Sequence, residues 1–143
     1  LGAPFWDSDI RGGFYGLTQD SSIEDMVTAC FNSIAFQTKE ISSILEKYGI
    51  KVSSLLVDGG MVKNKTFCQI LANSLEKEIL QPQNVESTAL GACIVAMAAS
   101  GDDLNNIKAS DMDIFKPNVE NTISSKKSYD EWKSYLIHTM RPN

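Results

Sequence analysis

Three consecutive apolar residues, Leu55-Leu56-Val57, run directly into Asp58-Gly59-Gly60 and then Met61-Val62-Lys63-Asn64. An apolar run this short, bounded by turn chemistry, suits a strand buried on both faces. Two glycines at its exit allow a sharp turn and let a ligand approach the backbone with no Cβ in the way. A helix starting there offers free N–H groups and the positive end of its dipole, which favour an anion such as phosphate. Strand, glycine turn and helix together make a candidate nucleotide site. A glycine pair alone is a turn signal before it is a ligand signal, so the rest of the chain has to carry the argument.

The clearest element precedes that strand. Ile23, Met26, Val27, Cys30, Phe31, Ile34, Ile41, Ile44, Leu45 and Tyr48 fall on one helical face. Ser21 with Glu24, or Ser22 with Asp25, forms a capping box at its start, and Gly49 stops it. Its polar positions Gln37, Lys39, Glu40 and Glu46 read as a solvated face. The strand is expected over 54–57 and a second helix over 62–76, with Phe67, Ile70, Leu71 and Leu75 inward. Glu78-Ile79-Leu80 reads as a further strand ended by Pro82. A third helix is expected over 86–100, preceded by Asn84. Its small residues, from Ala89 and Gly91 to Ala99, suggest close packing in the core. Residues 101–125 read as a polar loop anchored by Phe115 and Val119. A last amphipathic helix is expected over 126–140, with Tyr129, Trp132, Leu136 and Met140 on a docking stripe. Near the start, Gly13 to Leu17 reads as one short strand, and Phe5 and Trp6 as part of an ordered loop. Helix, strand, helix, strand, helix implies an α/β domain with a parallel strand pair. Ligands in such sheets sit beyond the carboxyl ends of the strands, where Asp58, Gly59 and Gly60 lie.

Composition narrows the function. A chain of 143 residues, 43% hydrophobic and 22% charged, can bury a real core in one domain. The net charge of −5, with Lys126-Lys127 the longest basic run, argues against nucleic acid as a partner. No apolar run is long enough to span a membrane. No signal peptide is visible, and the start at Leu1 leads us to expect a piece of a longer protein. Cys30, Cys68 and Cys93 form no Cys-x-x-Cys pair and are expected to be reduced, buried thiols of a cytoplasmic protein. His138 is the only histidine and is expected at a surface or helix end, so no metal site is assigned.

Five segments in order resemble the C-terminal part of the FGGY carbohydrate kinases. They begin with Leu1-Gly2-Ala3-Pro4-Phe5-Trp6-Asp7 and Arg11-Gly12-Gly13-Phe14-Tyr15-Gly16-Leu17-Thr18. They continue with Ser33-Ile34-Ala35-Phe36-Gln37-Thr38, then Val57-Asp58-Gly59-Gly60 with Asn64, then Thr88-Ala89-Leu90-Gly91-Ala92. The resemblance spans most of residues 1–100, with an echo at Phe115-Lys116-Pro117 and in the terminal helix. Within the family, the opening segment and Gln37-Thr38 are most similar to the glycerol kinases.

The resemblance implies an actin-like ATPase (ribonuclease-H-like) fold, with residues 1–143 as a C-terminal portion of the family's second domain. Residues 1–100 would be its core, 101–125 a loop segment and 126–143 a C-terminal helix. It implies ATP or ADP as ligand, Mg²⁺ as cofactor, and glycerol or a related polyol held by a domain outside this chain. It implies no catalytic residue here. Gly60 and Asn64 match the family's nucleotide contacts, and Gly59 and Asp58 shape the same turn. An Asn at that point has both a donor and an acceptor for a base or ribose. Met61 stands where the family has a small residue, and either crowds the nucleotide or packs inward. Lys65, Asn32 and Asn73 depart from the family's usual residues. Alternatives are another kinase of the family, acting on xylulose, ribulose or gluconate, and a non-catalytic actin-like nucleotide-binding module. A Rossmann domain ranks below them because Gly-x-Gly-x-x-Gly is missing. Open sheet edges could be covered by a homo-oligomer or by the C-terminal helix.

Overall fold

A computed structural model describes residues 1–83, 86–107 and 111–140. Four helices and three strands follow in the order α1 (Ile23–Lys47), β1 (Ser54–Leu56), α2 (Lys65–Leu75), β2 (Glu78–Pro82), α3 (Ser87–Ser100), β3 (Met112–Phe115) and α4 (Val119–Met140). Residues 54–82 thus form a parallel βαβ unit, as expected. The third strand lies in a segment that reads as loop in the sequence. It adds antiparallel to β2, so the sheet order is β1-β2-β3.

Ser22 closes α1 with Asp25 in a reciprocal capping box, which selects the second of the two sequence registers. At the other end Gly49 takes φ +81°, and Ile50 N–H donates to Leu45 O at 3.0 Å, which satisfies a carbonyl of the last turn. α1 packs across α2, and α2 packs on the sheet. Leu55, Ile79 and Phe115 lie in register across the three strands on the α2 side. Ile79 is fully buried there with Phe67, Cys68, Leu71, Ala72 and Leu75 of α2 and Ala35 of α1. Strand alternation puts the next row, Leu56, Leu80 and Ile114, on the opposite face. That face is open: Leu56 is 63% and Ile114 55% exposed. β1 is therefore buried on one face only.

Several expectations are corrected. α3 was expected in the core, yet none of its residues is buried. It is apolar around its whole circumference, so one contact cannot cover it, and it packs chiefly on a short 3-10 turn, Leu104–Asn106. Cys30 and Cys93 are exposed; only Cys68 is buried. Cys30 lies on the expected apolar face, but at a position that no described element covers. Residues 13–17 form no strand; among the described residues no strand pairs with them, and Gly16 takes φ +75°. The segment 101–125 contains β3 and the first turns of α4. That helix starts at Val119 because Asn118 Oδ1 accepts from Asn121 N–H at 3.2 Å and caps it. Phe115 anchors to the core, but Val119 is 77% exposed. Asn84, expected just before α3, lies outside the described residues, as do residues 141–143 at the end of the expected C-terminal segment.

The polar face of α1 is a second departure. Gln37 Nε2 donates to Ala3 O, which ties the N-terminal loop to α1. Lys39 pairs with Glu76 at 3.5 Å, Glu46 with Lys77 at 2.6 Å and Glu40 with Lys133 at 2.6 Å. These residues are joints between elements. Periodicity marks them only as non-apolar.

Candidate functional site

The Asp58-Gly59-Gly60 turn sits at the carboxyl end of β1, beside the carboxyl end of the parallel strand β2. Val57, just before it, is buried, and its N–H donates to Leu80 O at 3.0 Å, so the exit direction is set by the sheet. Gly59 takes φ +99° and ψ 177°. That region of backbone space is essentially restricted to glycine, so the residue type follows from the turn. A Cβ built on Gly59 or Gly60 meets nothing within 4 Å. The space in front of both glycines is open, which is the condition for a ligand to reach the main chain.

The turn does not enter an α-helix directly, as the sequence suggested. Gly60–Lys63 is a single 3-10 turn, and α2 begins only at Lys65. Val62 points inward and is buried, and Cys68 Sγ–H donates to its carbonyl at 3.2 Å. Burial also pushes the Cys68 thiol pKa up, so it stays protonated and suits this donor role. Met61 does not pack inward; it is 47% exposed beside Gly60. Val62, not Met61, takes the buried place of this turn.

Asn64 has a structural task that the sequence reading missed. Its Oδ1 accepts from Thr66 N–H at 2.9 Å and from Phe67 N–H at 3.2 Å, which makes it the N-cap of α2. The acceptor half of the amide is used up, and two of the helix's free N–H groups are satisfied. What remains for a ligand is the Nδ2 donor. The expected helix-end anion site is weakened accordingly, and the candidate site is the glycine turn with the Asn64 donor beside it. The signal was available: Asn followed by Lys-Thr-Phe, ahead of an apolar stripe, is an N-cap pattern.

Two exposed ion pairs link the turn to its surroundings. Lys63 meets Glu86 at 3.2 Å, next to the start of α3, and Lys65 meets Asp113 of β3 at 2.8 Å. The latter raises the Lys65 pKa through the hydrogen bond and the charge of Asp113. Asp58 is exposed and has no side-chain partner among the described residues. Asp7 and Asp9 lie in the N-terminal loop, where Asp7 Oδ1 accepts from Asp9 N–H at 2.9 Å. His138 is exposed on α4, with Nδ1 2.8 Å from Ser134 O. Among the described residues no group of three His, Cys, Asp or Glu is placed to hold a metal ion, and no helix is long and apolar enough to cross a membrane.

Comparison with known proteins gives this geometry a context. Residues 1–100 match the FGGY family of carbohydrate kinases, C-terminal domain. A glycerol kinase of Alteromonas mediterranea is 37% identical over 94% of this chain and 28% of its own length. A glycerol kinase of Haloferax volcanii is 40% identical over 98% of this chain and 28% of its own length. Among solved structures, Plasmodium falciparum glycerol kinase with ADP superposes with a TM-score of 0.77 at 32% identity, covering 99% of this chain and 29% of that one. A ligand-bound xylulose kinase from Lactobacillus acidophilus gives 0.75 at 27% identity over 93% of this chain and 28% of its own. The chain thus spans under a third of the length of the relatives it matches. With the ordered motifs, the βαβ unit and the open glycine turn all in agreement, the chain belongs to the FGGY family of carbohydrate kinases and has their actin-like fold.

Proposed function

We propose that this chain is the nucleotide-side portion of an ATP-dependent kinase that phosphorylates glycerol to glycerol 3-phosphate. One observation carries the reading: an unobstructed Gly59-Gly60 turn at the carboxyl end of a parallel strand pair, with Asn64 Nδ2 free one turn later. The residues fit a nucleotide. The bare glycine backbone admits a close approach, and Asn64 offers one donor to a base or ribose. Asp58 and Gly59 hold the turn's shape, and Gly60 lies against the ligand. When bound, ATP supplies the γ-phosphoryl group, with Mg²⁺ carried on its phosphates. In this reading the carboxylate base and the polyol subsite come from the remainder of the kinase, so the role of these residues is to bind and orient the nucleotide for in-line transfer. The two glycerol kinase relatives support glycerol above the other substrates of the family.

The test is ADP release by the full-length protein with Mg-ATP against glycerol, xylulose, ribulose and gluconate. A strong preference for glycerol is expected. Preference for a ketose or for gluconate would move the substrate assignment within the family. No turnover with any of them, and no ATP binding, would overturn the kinase reading in favour of a non-catalytic relative with Met61 against the nucleotide space.

A further inference from the structure

A groove of about 320 Å³ lies between α1, α2 and α4, on the side of α2 turned away from the sheet. It is separate from the glycine turn. Its lining contains no Lys, Arg, Asp, Glu or His. Amides and hydroxyls form the walls, and Ile70 forms one apolar patch.

The hydrogen-bonding state of those walls is uneven. Asn73 is 94% buried on its 6% exposure, and its Oδ1 accepts from Gln69 Nε2 at 3.0 Å and Asn118 N–H at 2.9 Å. Gln69 Nε2 also donates to Lys116 O at 2.8 Å. Both side chains are thereby locked, with Gln69 Oε1 and Asn73 Nδ2 left unpartnered. Ser42 Oγ is the one fully buried side-chain polar atom without a partner among the described residues, so Asn73 Nδ2 keeps some solvent access, and Asn73 is part of the groove wall. Ser74 and Ser125 share a hydroxyl bond of 2.9 Å at one side. Asn32, Ser124 and Ser128 line the groove, and their side chains make no hydrogen bond to other described residues. The result is a rigid acceptor and a rigid donor, set among groups that can do either.

We propose that this groove binds a small neutral polyhydroxyl compound, a polyol or monosaccharide. Neutral walls leave an ionic ligand without a counter-charge, which disfavours phosphates and metal ions alike. Paired donors and acceptors match vicinal hydroxyls, each of which donates once and accepts. Ile70 can cover the C–H side of such a molecule, and the volume falls within the range of small-molecule sites. Bound there, the ligand bridges α1, α2 and α4.

The experiment is equilibrium dialysis of labelled sorbitol against the full-length protein, beside the variants Ser128→Leu and Asn32→Ala. Ser128→Leu fills the groove from α4; Asn32→Ala removes one amide with little packing change. Saturable binding in the millimolar range is expected, weakened about tenfold or more in Ser128→Leu and measurably in Asn32→Ala. Both variants should keep the melting temperature and ATP affinity of the parent. Inorganic phosphate should not compete. If Ser128→Leu does not fold, Asn32→Ala alone decides. No saturable binding, or binding unchanged in the folded variants, would overturn the proposal.

Discussion

Asn64 joins two roles that can be separated by substitution. Asn64→Ala removes the N-cap of α2 and should cost about 1 kcal/mol of stability. Asn64→Asp keeps the oxygen that accepts from Thr66 and Phe67, so its melting temperature should return to near the parent value, while the Nδ2 donor is still lost. We expect the KM for ATP to stay raised in Asn64→Asp, with the KM for the polyol little changed. Recovery of both melting temperature and KM in Asn64→Asp would reduce Asn64 to a cap. The neighbouring glycines divide in the same way. Gly59→Ala forces a Cβ into the φ +99° conformation and should destabilise by about 1–3 kcal/mol. A Cβ at Gly60 meets nothing within 4 Å beyond its chain neighbours, so Gly60→Val should leave thermal stability nearly intact and weaken ATP binding. Equal ATP KM for Gly60→Val and the parent would remove Gly60 from the nucleotide site. At this scale glycine at 59 was legible from residue type alone. The cap at 64 was also written locally, in an Asn two and three residues ahead of the N–H groups it accepts from, but the expectation of a helix starting at 62 hid it.

Between elements, the joint of α1 with α4 mixes aromatic packing and charge. Phe36 is buried against the edge of Tyr129, with ring centroids 5.6 Å apart, and against Trp132 at 5.8 Å. Phe5 adds a T-shaped contact to Trp132 from the N-terminal loop. Phe36→Ala should therefore cost about 3–5 kcal/mol and free α4, seen as faster amide exchange in residues 119–140. Glu40 accepts from Tyr129 Oη and from Lys133 Nζ. Partial burial pushes the Glu40 pKa up, but the hydrogen bonds and charge of these partners outweigh it and hold it below the usual glutamate value. A carboxylate with a lowered folded pKa contributes stability above its unfolded pKa and loses it as pH falls through the folded one. The parent should accordingly lose more melting temperature than Glu40→Gln as the solution is acidified from the usual glutamate range downward. Parallel curves for the two proteins would show that Glu40 does not hold this joint. The stripe Tyr129-Trp132-Leu136 was readable from helical spacing. Its charged partners on α1 were not, because periodicity separates apolar from polar positions and says nothing about which polar groups meet.

For the whole molecule, the sheet has one face covered by α2 and one bearing Leu56, Leu80 and Ile114 with α3 beside no broad contact surface. The reading of the polyol subsite and base as lying elsewhere leads to a direct expectation: the 143-residue chain alone should show no glycerol-dependent ADP formation. Detectable turnover would sink that reading. Local chemistry was enough to determine α1, the parallel βαβ unit of 54–82, the glycine turn and, through ordered motifs, the family. Each of these depends on residues close in sequence, where spacing and turn chemistry act directly. Only the tertiary structure decided that β3 exists and that α3 and Cys30 are exposed. A four-residue strand becomes a strand only by pairing with β2, and a residue is buried only if another element lies over it. Those are properties of contacts between distant segments, which no local pattern encodes.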